Sequence, residues 1–246
     1  MTKAIILSAG QGKRLMPLTE DRPKCLIPLN GKTLLEWQLR TLAMNGISEA
    51  IVVTGFGHAA VESAIGQMQV PDMQARTLYN PFYAVADNIA SCWIARDLMD
   101  EDFLLINGDT LFEANVVKLL LAKATMPISL SIDVKERYDS DDMKVCFTDG
   151  KLDAVGKTLP LDDVDGESIG VSRFQGTGGR LFADILDRTL LEPEGLRLWY
   201  LSVINQLAGE GHVGLVHITG NSWAEVDFPH DLRAAEALTG AWASGS

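Results

Sequence analysis

Residues 4–24 read Ala-Ile-Ile-Leu-Ser-Ala-Gly-Gln-Gly-Lys-Arg-Leu-Met-Pro-Leu-Thr-Glu-Asp-Arg-Pro-Lys, a strand pattern running into glycines and fixed positive charge. The apolar run Ala4–Leu7 predicts a buried strand that empties directly into a glycine loop. Gly10 and Gly12 let the backbone approach a bulky anion and turn successive N–H groups toward it. Arg14 and Lys24 add fixed positive charge at two further points. That combination suits a triphosphate. Taken alone, Gly10-Gln11-Gly12 is equally an ordinary strand-to-helix turn. Two better-known phosphate loops do not fit. The dinucleotide fingerprint requires a third glycine where this chain has Leu15. Gly31-Lys32-Thr33 has the tail of a P-loop, but the first glycine of that motif falls on Leu26 and no strand feeds it. Asn30-Gly31 is a turn instead, and Thr33 with Glu36 makes a capping box for the next helix.

The first 125 residues alternate between strand and helix patterns. Apolar runs at Ala4–Leu7, Ala50–Val53, Ala75–Tyr79 and Phe103–Ile106 predict buried strands. Helical patterns lie at Thr33–Met44, Ala59–Met68, Asn88–Met99 and Glu113–Ala124. This order implies an α/β fold with a mostly parallel sheet covered on both faces. Ligands in such sheets bind outside the carboxyl ends of the strands. The glycine loop, Thr54-Gly55 and Gly108-Asp109 all fall at that edge.

The second half, 126–240, changes character. Short strands are expected at Ile128–Val134, Lys144–Phe147, Lys151–Val155 and Ser168–Phe174, with an Asp149-Gly150 hairpin turn. Helices follow at Gly178–Leu190 and Leu198–Ala208, then a strand at Val213–Ile218 and a helix over His230–Trp242. No repeat, linker or boundary divides the chain, which is expected to form one domain over 1–246. Ser244-Gly245-Ser246 reads as a frayed tail.

With 246 residues, 47% of them hydrophobic, the chain can fill one large core. Its net charge of −12 argues against nucleic acid or anionic membrane as a partner. Yet Lys3, Lys13, Arg14, Arg22 and Lys24 cluster near the start, opposed only by Glu20 and Asp21. A cationic loop on an acidic protein suits a small phosphorylated ligand. Cys25, Cys92 and Cys146 have no metal-binding or disulfide spacing and read as reduced thiols. His58, His212, His217 and His230 lack zinc spacing, and no nucleophile elbow is present. With no signal peptide or membrane span recognised, a soluble cytoplasmic protein is expected.

The run from Leu7 to Arg14, with Pro23-Lys24 behind it, resembles the signature of sugar-phosphate and choline-phosphate nucleotidylyltransferases. That resemblance implies a Rossmann-like nucleotidyltransferase domain with 1–125 binding the nucleotide and 126–240 the acceptor. Trp223-Ala-Glu-Val-Asp227-Phe-Pro-His-Asp-Leu resembles the stretch carrying the family's second metal ligand, making Asp227 the partner of Asp109 on Mg²⁺. By itself Asp109 is equally a turn residue capping a helix. Glu225 either assists the metal pair, orients it, or is structural.

Tyr79-Asn-Pro-Phe-Tyr83 and Asp87-Asn88-Ile-Ala-Ser91 resemble the segment that meets the base and sugar in choline-phosphate cytidylyltransferases, with Asp87 replacing the first asparagine. Asn88 can donate and accept, as reading a cytosine edge requires, or it caps a helix. Three further pieces, Asp142-Met-Lys144-Val, Gly156-Lys157-Thr-Leu-Pro160 and Asp165-Gly-Glu167-Ser-Ile-Gly170, resemble the bacterial choline-phosphate-type subgroup. Lys144 and Lys157 would then meet the acceptor's phosphate, beside Glu167; isolated strand lysines are otherwise solvated edge residues. Trp199-Tyr200 either contributes to the acceptor pocket or packs a helix, and Leu201-Ser202 stands where relatives carry an acid.

The resemblance thus implies Mg²⁺-dependent transfer of CMP from CTP to a small phosphomonoester or phosphonate. Arg14 would serve the β- and γ-phosphates and Lys24 the α-phosphate. Leu7, Ser8, Ala9, Gly10, Gly12, Thr54, Gly55, Asn88, Ser91 and Gly108 would line the nucleotide site. Lys144, Lys157, Glu167 and Tyr200 would line the acceptor site. A sugar-1-phosphate nucleotidylyltransferase using UTP, dTTP or GTP is the first alternative, and a non-catalytic nucleotide sensor the second. The oligomeric state is left open.

Overall fold

The structure, a computed structural model, describes residues 2–244. The first half runs β1 (Lys3–Ser8), β2 (Pro28–Leu29), β3 (Lys32–Thr33), α1 (Leu34–Ala43), β4 (Glu49–Thr54) and α2 (His58–Gln67). It continues through β5 (Gln74–Tyr79), α3 (Asn88–Ile94), β6 (Phe103–Asn107), β7 (Thr110–Phe112) and α4 (Ala114–Lys123). The second half contains β8 (Ile128–Asp133), β9 (Lys144–Thr148), β10 (Lys151–Gly156), β11 (Gly166–Phe174) and α5 (Gly178–Leu190). It closes with α6 (Leu201–Gly209), β12 (Val213–His217), β13 (Trp223–Glu225) and α7 (Asp231–Ser244). Ser244 ends that helix; Gly245 and Ser246 of the expected tail lie outside the described residues.

One nine-stranded sheet crosses both halves in the order β5-β4-β1-β6-β11-β8-β12-β10-β9. The first-half strands pair in parallel, as helical crossovers require. β11 then joins antiparallel to β6 and β8, and its start also pairs with β9, so the second-half strands curl back on themselves. Alternate residues of β1 serve opposite cores: Ile5 and Leu7 face one, Ala4 and Ile6 the other. A continuous apolar run is the expected signature of a strand covered on both sides.

A third, smaller core fixes the working edge. Leu15, at the end of the glycine loop, is fully buried with Ile27, Leu29, Leu34, Trp37, Leu111, Val226 and Ala235. The loop's charged residues are thus anchored from behind by an apolar neighbour in sequence. Thr33 caps α1, its hydroxyl accepting from Glu36 N–H at 3.1 Å, and Asn30 and Gly31 both take positive φ in the turn before it.

Three segments depart from expectation. The strand expected to be buried at Ala75–Tyr79 forms as β5 at the edge of the sheet, where none of its residues is buried. The helix expected over Asn88–Met99 stops at Ile94 and ends in a tight 3₁₀ turn at Arg96–Leu98. The helix expected from Leu198 starts only at Leu201, because Trp199 and Tyr200 are bonded instead to the start of α3. No described helix is long and apolar enough to cross a membrane.

Candidate active site

The carboxyl edge of the parallel strands opens into a cavity of about 450 Å³. Leu7, Ser8, Ala9, Gly10, Gly12, Arg14, Lys24, Asn88, Ser91, Gly108, Asp109 and Asp227 all line it. Two glycines are dictated by geometry. Gly12 has φ +76°, and a Cβ there would come within 3.0 Å of Lys24 Cβ. At Gly108 a Cβ would collide with Ser8 Oγ and Leu7 O, so only glycine lets the Asp109 turn close onto β1. Thr19 closes the glycine loop, its hydroxyl donating to Gly12 O at 2.7 Å.

Asp109 and Asp227 come from distant parts of the chain, and a two-stranded ribbon joins them. β13 pairs antiparallel with β7, placing Glu225 opposite Thr110, and Val226 N–H then donates to Asp109 O at 3.0 Å. The next residue is Asp227. Its loop is tied down by Asp231, whose Oδ2 accepts from Asp227 N–H at 2.8 Å and Phe228 N–H at 2.7 Å. On the other side, buried Gln38 of α1 donates to Asn107 O at 2.9 Å and Thr110 O at 2.8 Å, bracing the Asp109 turn. Asp109 does not cap the following helix, whose N-cap is Glu113.

The Lys24 ammonium lies 2.9 Å from Asp109 Oδ2 and 2.5 Å from Asp227 Oδ1. Arg14 Nη2 lies 2.7 Å from the other Asp227 oxygen, with its guanidinium over the Phe228 ring. Burial pulls the Lys24 pKa down, but Asp109 and Asp227 outweigh it and leave it raised. Burial pushes Asp227 up, and Lys24 and then Arg14 overcome that, holding its carboxyl below the usual range. Glu225 goes the other way. Its burial, followed by the fields of Asp109, Asp227 and Glu167, raises its carboxyl well above the ordinary value despite Lys24.

A cation at the Lys24 Nζ position therefore meets an oxygen from each aspartate. Two carboxylates, with the remaining positions left to phosphate oxygens and water, suit Mg²⁺. Among the described residues no three His, Cys, Asp or Glu converge as an all-protein metal cage. The donor set fits a divalent ion shared with a polyphosphate.

Several expected contacts lie elsewhere. Thr54 is fully buried, its hydroxyl 2.7 Å from His58 Nδ1, and does not line the cavity. Gly55 lies behind it, where a Cβ would strike Tyr83 Cβ and Ala9 O. Tyr200 is also a core residue: it packs edge-on against Phe182, its hydroxyl donates to Asn107 Oδ1 at 3.3 Å, and burial drives its pKa far up. Lys144 is 2% exposed and donates to two backbone carbonyls, Lys157 O at 3.0 Å and Asp142 O at 3.3 Å. Buried Glu167 is ion-paired with Lys135, which also reaches Asp142 at 3.4 Å. Lys157 alone of that set is partly open, 3.6 Å from Asp141 and over the Trp199 ring.

Lys13, Cys25, Asn80, Tyr83, Ala86 and Asp87 also line the cavity. Most of them stand inside the stretches already quoted, where the polar residues flanking Asn88 were the available signal. Cys25 is buried, and its thiol is pushed up to about 12 by that burial, so it is a wall and not a nucleophile.

Residues 3–137 match the model of the nucleotidyl transferase family, and the chain belongs to that family. It is an enzyme of the nucleotidyltransferase class, and its relatives include cytidylyltransferases. CTP:phosphoglutamine cytidylyltransferase of Campylobacter jejuni is 27% identical over 253 residues, covering 94% of this chain and 97% of that one. CMP-5'-(3-aminopropyl)phosphonate synthase of Streptomyces rubellomurinus is 29% identical over 244 residues. That match covers 95% of this chain, which spans only 38% of the longer relative. The solved CTP:phosphocholine cytidylyltransferase of Streptococcus pneumoniae superposes with TM-score 0.76 at 24% identity, covering 97% of this chain and 99% of that one, and so shares the fold.

Proposed function

We propose that this enzyme is a Mg²⁺-dependent cytidylyltransferase that moves CMP from CTP onto a small phosphomonoester or phosphonate, releasing pyrophosphate. One observation carries the reading: Asp109 and Asp227 converge on a single cation position beside a glycine loop, within one cavity that also holds Arg14, Lys24 and Asn88. The names of the relatives above support the choice of base and acceptor class.

An oxygen of the acceptor's phosphate or phosphonate attacks the α-phosphorus in line, and the bond to the bridging oxygen of the β-phosphate breaks. Both reactants are strongly anionic, so positioning and charge neutralisation carry the catalysis. The glycine-loop N–H groups and Arg14 bind the β- and γ-phosphates, and Lys24 neutralises the α-phosphate. Held by Asp109 and Asp227, Mg²⁺ would supply Lewis-acid stabilisation of the phosphate oxygens. Lys157, open beside Trp199, is the residue we assign to the acceptor's anion, with Lys144 supporting it through the backbone.

A pyrophosphate-release screen tests this. CTP should turn over with one or more of phosphocholine, 2-aminoethylphosphonate and related phosphonates, and not with sugar 1-phosphates. Preference for UTP or dTTP with a sugar 1-phosphate would replace the proposal with the sugar-nucleotide alternative.

A further inference from the structure

Asp87 occupies the N-cap position of α3 but makes no side-chain cap there. An aspartate at that position normally accepts from the first-turn N–H groups and so stabilises the helix. Its carboxylate is turned instead toward Trp199, whose indole N–H donates to Asp87 Oδ1 at 3.2 Å. Two backbone ties fix the same junction. Asp87 N–H donates to Leu196 O at 2.8 Å, and Tyr200 N–H donates to Asn88 Oδ1 at 2.9 Å. Segment 196–200 thus clamps residues 87 and 88, both of which line the nucleotide cavity.

The indole is also held over its ring, where Lys157 Nζ sits 5.4 Å from the centroid. Trp199 remains 40% exposed, so packing alone does not account for it. The bonding also fixes what each neighbour can offer a ligand. Asn88 has its oxygen engaged by Tyr200 and presents its amide N–H₂. Ser91 Oγ accepts from Asn80 Nδ2 at 3.0 Å, leaving its hydroxyl proton to give. Ionised Asp87 can only accept.

From this geometry we infer that Trp199 is a positioning residue for nucleotide selection: it holds the Asp87 carboxylate in the cavity, where that group accepts a hydrogen bond from an N–H or O–H donor on the nucleoside. The inference rests on the proposed use of a nucleoside triphosphate and adds the residue pair that reads its nucleoside. The donor is either the exocyclic amino group of the base or a ribose hydroxyl.

The experiment is a double-mutant cycle on nucleotide affinity. Trp199→Phe keeps the ring and deletes the N–H; Asp87→Ala deletes the carboxylate. Titration calorimetry with Mg²⁺ measures CTP, UTP, 2′-deoxy-CTP and 3′-deoxy-CTP against the wild type, both single variants and the double. Each single variant should weaken CTP about fivefold or more, and the double should be no weaker than the worse single. Melting temperatures should stay near wild type, because Asp87 is not capping its helix. One analogue should bind the wild type as weakly as CTP binds Asp87→Ala and should be insensitive to that substitution. UTP in this role identifies the base amino group; a deoxy analogue identifies the hydroxyl it lacks. Unchanged CTP affinity in Asp87→Ala, or simple additivity in the double variant, overturns the inference while leaving the cytidylyltransferase reading in place. Wild-type protein that binds no CTP defeats that reading itself, and the inference with it.

Discussion

The Lys24 ammonium lies 2.5 Å from Asp227 Oδ1, joining residues 203 positions apart in the chain. With Asp109 at 2.9 Å on its other side, Lys24 stands where a metal ion shared by those two carboxylates would bind. On the proposed reading, metal and lysine would compete for one place, and a polyphosphate would relieve the competition by drawing the ammonium onto its own oxygens. Lys24→Met should bind Mn²⁺ in the absence of nucleotide several-fold more tightly than the wild type, while kcat falls about a hundredfold or more. Mn²⁺ titration followed by electron paramagnetic resonance reads the first effect. Equal or weaker binding in the variant would show that the lysine does not exclude the metal.

The two carboxylates should each be indispensable. Asp109→Asn and Asp227→Asn keep the shape of the side chain and remove the charge, so folding should survive. Loss of a charged ligand costs several kcal/mol of transition-state stabilisation, on the order of a hundredfold or more in rate. Single-turnover kinetics at saturating Mg²⁺ checks this. Near-normal turnover in either variant would make that aspartate a turn residue only.

Gln38 gives a structural counterpart. Its buried amide serves two carbonyls flanking the Asp109 turn. Gln38→Ala should cost about 1–3 kcal/mol in urea unfolding, because acceptors that cannot reach water lose their donor. Mn²⁺·CTP affinity should fall as well, since the turn is no longer fixed. Stability loss without any change in that affinity would separate the brace from the site.

Lys144 and Lys157 should differ in kind. Lys157→Ala removes the partly open ammonium, whereas Lys144→Met removes a buried donor to the Lys157 carbonyl. Both should raise the acceptor KM and leave the Kd for CTP within about twofold, a difference under roughly 0.4 kcal/mol. Only Lys144→Met should also lower the melting temperature. A CTP affinity reduced as far as in Lys24→Ala would reassign either lysine to the nucleotide.

Glu167 makes stability depend on pH. Burial raises its carboxyl to about 7, Lys135 opposes that, and Asp142 adds to it. The folded state then keeps a proton that the unfolded chain has released. This contribution is complete below the ordinary value of 4.5 and is lost as pH rises toward about 7. Relative to the wild type, Glu167→Gln should show a flatter fall in unfolding free energy across that window. Parallel curves would mean that Glu167 titrates normally in the fold.

Much of this molecule was legible in the sequence, for physical reasons that differ by region. β1, β4 and β6 announce themselves because strands covered on both faces must be apolar throughout. That the glycine loop, Arg14, Lys24, Asp109 and Asp227 share one cavity was legible, because a strand emptying into glycines and carboxylates at strand ends fix the sheet edge where they fall. Lys144, Glu167 and Tyr200 were misplaced because adjacency to a motif says nothing about which way a side chain points. β7 and β13 are three residues each, too short for any period to register, yet they bring the two aspartates together. Gln38 and Trp199 were illegible in their roles, since each acts by a contact with a segment far along the chain.

Synthesis proceeds from the amino terminus, so the glycine loop, Arg14, Lys24 and Asp109 leave the ribosome well before β13 and α7. Until those elements follow, the β7 ribbon has no partner strand and Lys24 has one carboxylate instead of two. Asp231, which anchors the Asp227 loop, is the first residue of α7 and follows Asp227 by four positions. On the proposed reading, a chain that has paired its parallel strands still lacks its second carboxylate, and turnover would wait for Asp227 and its anchor Asp231.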